Sequence, residues 1–197
     1  MQSHARVVIV GGGILGAGLL YHLAEEGWND TLLIEKGELT SGSTWHAAGL
    51  LPLFNMSYSV GKVHRYTIEL YESLEAETGQ PVSLHKNGNL RLACSQERMD
   101  EYKRYCGTAS TVGVNYHLLS IDEIKKTWPF INPEGLVGAL FHPDDGHVAP
   151  VDVTMAMAKG ARSQGAEIYT QTEVTGIQQK SNDEWVVSTD KGNVTCE

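Results

Sequence analysis

Three cysteines in 197 residues, Cys94, Cys106 and Cys196, are an odd number and include no C-x-x-C pair, so the sequence carries no disulfide framework. Free thiols in a reducing compartment are the simplest account. Long apolar runs are missing too: none approaches the roughly 20 residues of a membrane span, so no membrane partner is expected. Basic residues are scarce, 15 Lys and Arg against 24 Asp and Glu, and the resulting net charge of −9 argues against nucleic acid as a partner. Met1–Arg6 is a short polar lead without the marks of a signal or transit peptide. A cytoplasmic location fits, as does the mitochondrial matrix for a processed eukaryotic protein. The length allows one good core, or about one and a half domains.

Glycine, by contrast, is concentrated where it has a job. The stretch from Val7 to Leu50 opens with four apolar β-formers, Val7–Val10, that read as a buried parallel strand. Gly11, Gly13 and Gly16 then form G-x-G-x-x-G where that strand turns into a helix with apolar positions at Ile14, Leu15, Leu19, Leu20 and Leu23. Gly11 permits the tight turn, Gly13 lets backbone approach a pyrophosphate, and Gly16 lets helix and strand pack closely. The helix N-terminus offers unpaired N–H groups and the positive dipole end to phosphates. A second strand, 31–34, ends in Glu35, whose carboxylate suits a ribose diol and disfavours a 2′-phosphate. Strand, glycines, helix and acid in this order predict dinucleotide binding, and leave open whether the dinucleotide is FAD or NAD.

The next residues decide between them. Lys36–Leu50 is a loop of small residues with one Trp–His pair, Trp45 and His46, in the run GSTWHAAGL. With this run the sequence resembles the N-terminal part of the dimethylglycine and sarcosine dehydrogenase family, flavoenzymes of the D-amino-acid-oxidase-like superfamily. The resemblance implies FAD, and makes His46 the position of a covalent bond to the flavin 8α-methyl carbon. Such a link tethers the cofactor and raises its potential, which helps an amine-oxidising site. On chemistry alone, His46 reads first as a histidine hydrogen-bonded inside its loop, and it is the intact GSTWHAAGL run that reverses this. By the same resemblance Ile14, Leu15, Lys36, Gly42, Ser43, Thr44, Trp45, Ala47, Ala48, Gly49 and Leu50 join Gly11, Gly13, Gly16 and Glu35 as cofactor-binding residues.

The remainder reads as scaffold. A long helix runs over 57–78 with Val63, Thr67, Leu70, Tyr71 and Leu74 on one face, ended by Gly79 and Pro81. Its basic residues Lys62, His64 and Arg65 read as a solvated face. A hairpin is predicted over 82–93 about Asn87-Gly88, then a helix over 95–111 capped by Ser95. A capping box at Ser120–Glu123 opens a short helix that stops before Trp128-Pro129. His142, Asp144, Asp145 and His147 crowd together, but Pro143–Gly146 is turn chemistry and no metal is assigned. A helix over 151–164, a strand over 167–170, and strands over 173–179, 185–189 and from 194 onward follow. By resemblance the last three are a β-meander, with Val174 contacting adenine through its backbone.

The expected fold is therefore α/β: a Rossmann-like FAD/NAD(P)-binding domain with an inserted antiparallel-sheet (α+β) substrate domain. Residues 1–80 and 148–197 are expected to form the first and 81–147 to begin the second. The sequence stops within the meander, so the fold is expected to be C-terminally incomplete, with no catalytic acid or base among these residues. The resemblance implies an FAD-dependent oxidoreductase that takes hydride from the N-methyl group of an amine such as dimethylglycine. Formaldehyde is released or the carbon is captured by folate, and an electron-transfer flavoprotein or oxygen accepts the electrons. Alone, such a piece is expected to be inactive. Two alternatives stand beside it: a non-catalytic relative resembling the pyruvate dehydrogenase phosphatase regulatory subunit, and a plain NAD-dependent dehydrogenase.

Overall fold

The computed structural model describes residues 1–28 and 30–197. In chain order the first elements are β1 (Val7–Val10), α1 (Ile14–Glu25), β2 (Thr31–Ile34), a 3-10 turn (Ser43–His46), β3 (Leu50–Leu51) and α2 (Tyr58–Thr78). Then come β4 (Asn89–Ala93), α3 (Gln96–Val112), β5 (His117–Leu119), α4 (Ile121–Thr127), β6 (Gly138–His142) and β7 (Gly146–His147). The chain closes with α5 (Pro150–Ser163), β8 (Glu167–Tyr169), β9 (Val174–Gln179), β10 (Trp185–Thr189) and β11 (Gly192–Cys196). These elements divide into two compact units: Met1–Gly49 with Ser73–Ser83 and Ala149–Glu197, and Leu50–Glu72 with Leu84–Val148. Residues 50–72, expected with the cofactor domain, thus cluster with the second unit. The reason is packing: Leu53 and Ile68 belong to the same core as Ala93, Met99, Tyr105 and Leu140.

The first unit is built on a parallel sheet in the order β1-β2-β8, with Val7–Val10 in register with Thr31–Ile34. All four residues of β2 are buried, as a parallel strand covered on both faces requires. Helices α1 and α5 pack together through small residues, Ala17 and Ala24 on one side and Ala156, Gly160 and Ala161 on the other, all buried. A Cβ at Gly160 would stand 2.8 Å from the Tyr21 ring, so glycine sets that approach. The meander β11-β10-β9 contributes Val187, Val194 and Cys196 to one apolar cluster with Ala5, Leu32 and Ile34.

The second unit holds an antiparallel sheet in the order β4-β6-β5, with α3 supplying Met99, Tyr102, Tyr105, Ala109 and Val112 to its core. Ser95 caps α3 by accepting from the Arg98 N–H, and Gly113 ends it at φ 84°. The Ser120–Glu123 capping box is present in both directions. The predicted hairpin over 82–93 does not form. Strand β4 pairs with β6, and the preceding segment makes only a bridge, His85 to His147. Gly88, at φ 76°, turns its N–H to the Asp145 carbonyl, 2.8 Å away, rather than closing a two-residue loop. The apolar face of α2 agrees in part: Tyr71 and Leu74 are buried as expected, Ile68 joins them, and Val63 is 61% exposed.

Candidate cofactor site

Within the first unit, β1 delivers Gly11 to the sheet edge, where its N–H donates to the Ile34 carbonyl (2.8 Å) at φ 108°. Gly16 lies directly over that turn. A Cβ there would come within 1.9 Å of the Gly11 carbonyl oxygen, a distance that admits only hydrogen. Helix α1 then begins with Gly13 as N-cap, no side-chain cap from that residue, and no acidic residue in its first turn. Its positive end is uncompensated, and the N–H groups of its first turn lack intrahelical partners. One of them is taken: the Ile14 N–H donates to Thr44 Oγ1 at 3.0 Å. Thr44 is buried, and a hydroxyl that accepts one bond keeps its own proton to donate, so the loop supplies a donor beside the helix end.

Glu35 ends β2 and is held rigidly. The Gly12 N–H donates to Oε2 (2.6 Å) and the Gly37 N–H to Oε1 (2.7 Å). Each carboxylate oxygen keeps a lone pair for a diol. The loop from β8 into the meander reaches the same place, the Thr172 N–H donating to the Glu35 carbonyl at 3.0 Å.

These groups surround a cavity of about 640 Å³ lined by Gly11, Gly13, Ile14, Leu15, Gly16, Glu35, Lys36, Gly42, Ser43, Thr44 and Ala47. A neighbouring cavity of about 290 Å³ shares Gly11, Glu35 and Lys36 and adds Val174. Trp45, His46, Ala48, Gly49 and Leu50 do not line either one. His46 is exposed at the end of the 3-10 turn, with its ring tilted against Trp45 at 3.9 Å between centroids. Leu50 is exposed in β3 of the second unit. Sequence reasoning missed Val10 and Ser41 on the wall of the larger cavity, and Thr172 and Glu173 on the smaller. Ser41 sits inside a run already singled out, whereas Thr172 carried no local signal. Gly12 is a further omission, since the fingerprint ignores it while its N–H orients Glu35.

The residues set aside as scaffold have protein partners. His142 Nε2 lies 3.0 Å from the Tyr105 hydroxyl, Asp145 Oδ1 accepts from Leu53, and Asp144 accepts from Asn115. Arg65 donates to Glu69 and to the Val112 carbonyl. Among the described residues no helix is long and apolar enough to cross a membrane.

The cavity fits FAD. Its wall joins donors at a helix end to a preset carboxylate, and Leu15, 87% exposed, offers an apolar surface that a bound ring system would cover. Comparison with known proteins agrees. The family described as FAD dependent oxidoreductase (DAO) matches residues 6–197. Dimethylglycine dehydrogenase of Rattus norvegicus is 40% identical over 193 residues, which are 98% of this chain and 22% of that protein. The formaldehyde-forming 4-methylaminobutanoate oxidase of Paenarthrobacter nicotinovorans is 39% identical over 197 residues, 100% of this chain and 24% of that protein. Among solved structures, L-proline dehydrogenase of P. horikoshii superimposes with a TM-score of 0.90 at 28% identity, covering 100% of this chain and 52% of that one. The chain thus spans about a fifth to a quarter of the length of these curated relatives.

Proposed function

The chain belongs to the DAO family of FAD-dependent oxidoreductases, and from that premise we propose that it forms the FAD-holding part of an enzyme oxidising an N-methyl amino acid, with dimethylglycine the first substrate to try. The observation that carries the cofactor half of this reading is the single cavity that gathers the glycine turn, Glu35 and the Gly42–Ala47 loop. The substrate half rests on relatives named for N-methyl substrates, one of them formaldehyde-forming.

When bound, FAD supplies a two-electron acceptor for hydride from the N-methyl carbon. The chain's own residues bind and orient it. The N–H groups opening α1 and the Thr44 hydroxyl hold the pyrophosphate. Glu35 accepts from the ribose hydroxyls, and the backbone at Val174 meets the adenine. Lys36, Ile14, Leu15 and the glycines shape the wall, and Gly42–Leu50 forms the loop that carries His46 to the flavin 8α-methyl group for covalent attachment. The acid or base that handles the substrate lies outside these residues, so the chain alone is expected to hold flavin without turnover. Folate, an electron-transfer flavoprotein and a matrix location are proposed for the whole protein only.

The test is denaturation of FAD-supplied protein in acid, followed by gel filtration and flavin fluorescence on the polypeptide. Flavin is expected to stay with the wild-type chain and to leave His46→Ala. Flavin released from both would keep FAD and remove the covalent link. No flavin in either, before or after acid, would sink the reading in favour of the regulatory-subunit alternative.

A further inference from the structure

The segment that leaves the cofactor loop, Leu50–Leu53, is fixed by an unusual set of buried polar groups in the second unit. Leu50 and Leu51 pair with His147 and Gly146 through the main chain. Pro52 follows, with no N–H to extend the ladder. At Leu53 side chains take over. Its N–H donates to Asp145 Oδ1 at 2.8 Å, and its carbonyl accepts from the Tyr105 hydroxyl at 3.1 Å. That bond uses the only tyrosine proton, so His142 Nε2, 3.0 Å away, is the donor to the tyrosine oxygen. Asp145 and Tyr105 are each 1% exposed and His142 is 0%. The far side of the Asp145–His147 turn is closed as well: His85 and His147 exchange main-chain bonds of 2.9 and 3.0 Å, and a Cβ at Gly146 would lie 2.2 Å from the His85 carbonyl.

Core stability alone does not call for this arrangement. Asp145 Oδ2 and His142 Nδ1 are buried without partners, a cost that apolar residues of similar size would avoid. What the polar groups provide is a fixed direction for one piece of backbone. We propose that Asp145, Tyr105 and His142 are positioning residues: they clamp Leu53 and thereby set the path of the chain as it leaves the flavin-attaching loop. The assignment of that loop rests on the proposed function above.

The test compares the full chain with Asp145→Ala, Asp145→Asn and Tyr105→Phe, each checked for folding by circular dichroism. Asparagine retains the acceptor for Leu53, so it is the conservative rescue. Two readings are taken: amide hydrogen exchange over residues 49–54 without flavin, and acid-stable flavin after incubation with FAD. Exchange over 49–54 is expected to rise about tenfold in Asp145→Ala and Tyr105→Phe and to stay within about twofold of wild type in Asp145→Asn. Acid-stable flavin is expected to fall in the same order. Unchanged exchange in the first two variants, or an Asp145→Asn protein as loose as Asp145→Ala, overturns the clamp. Looser exchange with undiminished flavin attachment overturns its link to the cofactor loop alone. A wild-type chain that takes no flavin overturns the functional reading and that link together, and is seen before any variant is compared. Should Asp145→Ala fail to fold, Tyr105→Phe, which removes one oxygen, decides.

Discussion

Gly16 is the residue with the least latitude in the cofactor site. An added methyl would meet the Gly11 carbonyl oxygen at 1.9 Å, and both partners are backbone, so neither can rotate away. Gly16→Ala is expected to cost about 1–3 kcal/mol in urea unfolding and to reduce flavin retention, as overpacking of a close contact does. Gly107→Ala, in α3 of the second unit, has no neighbour within 4 Å of the new methyl and serves as the control, with flavin retention near wild type. The buried pair in the second unit yields a different residue-scale prediction. Burial, with Asp144 adding to it against Arg91 and the Leu53 N–H, pushes the Asp145 carboxyl up to about 6 from 3.8. Burial, helped by Arg91 and opposed by Asp144, lowers His142 to about 4 from 6.5. Tyr105, the other group facing both, is raised by burial and stays neutral. The raised carboxyl contributes stability that is complete below about pH 3.8 and lost as pH rises through about 6. The lowered imidazole contributes stability that is complete above about pH 6.5 and lost as pH falls through about 4. The two slopes oppose each other, so the wild type is expected to change little between those limits from this pair. Asp145→Asn leaves only the histidine, and its urea midpoint is expected to fall as pH drops from 6.5 to 4. His142→Gln leaves only the carboxyl, and its midpoint is expected to rise over the same descent. Parallel pH profiles for the two variants would contradict this.

At the scale of elements, the parts with local signals were readable in the sequence and the parts with only distant partners were not. Helix α4 is the plainest case: Ser120 and Glu123 satisfy each other's backbone N–H groups as their spacing foretells. Ser120→Ala is expected to cost about 1 kcal/mol, read as earlier melting of the second unit, with flavin binding unaffected. The strand–glycine–helix opening, the Ser95 cap, Pro150 at the start of α5 and the three strands of the meander likewise lie where periodicity and turn residues put them. The 82–93 hairpin failed for a reason no local pattern contains. Asn87-Gly88 is the strongest short hairpin signal, yet β4 found β6, nearly fifty residues on in the chain, and Gly88 was drawn to Asp145 instead. The site shows the same division. The glycines and Glu35 follow a spacing rule, while the Thr44 bond to α1 and the approach of Thr172 to Glu35 depend on how distant segments return.

For the whole molecule, what matters is that the chain folds as two units with separate cores, and that the cavity's lining residues all lie in the first. A ligand stabilises what it binds in the folded form, by about 2.7 kcal/mol when present at a hundredfold excess over its Kd. Flavin in this cavity should therefore act on one unit more than the other. Native-state hydrogen exchange with and without FAD is expected to show slower opening at the buried amides of β1, β2 and α1, with β4, β6 and α3 changing far less. Uniform slowing across both units would mean instead that they open as one cooperative body. The clamp at Leu53 gives the second unit its own part in that outcome. It holds the chain immediately after the loop but touches none of the cavity wall, so Tyr105→Phe should leave the FAD-induced protection of β1 and β2 in place while loosening 49–54. Loss of protection in β1 and β2 upon that substitution would show that holding the loop's exit is a condition for binding the dinucleotide at all, and would move the second unit from positioning the flavin end to forming the site.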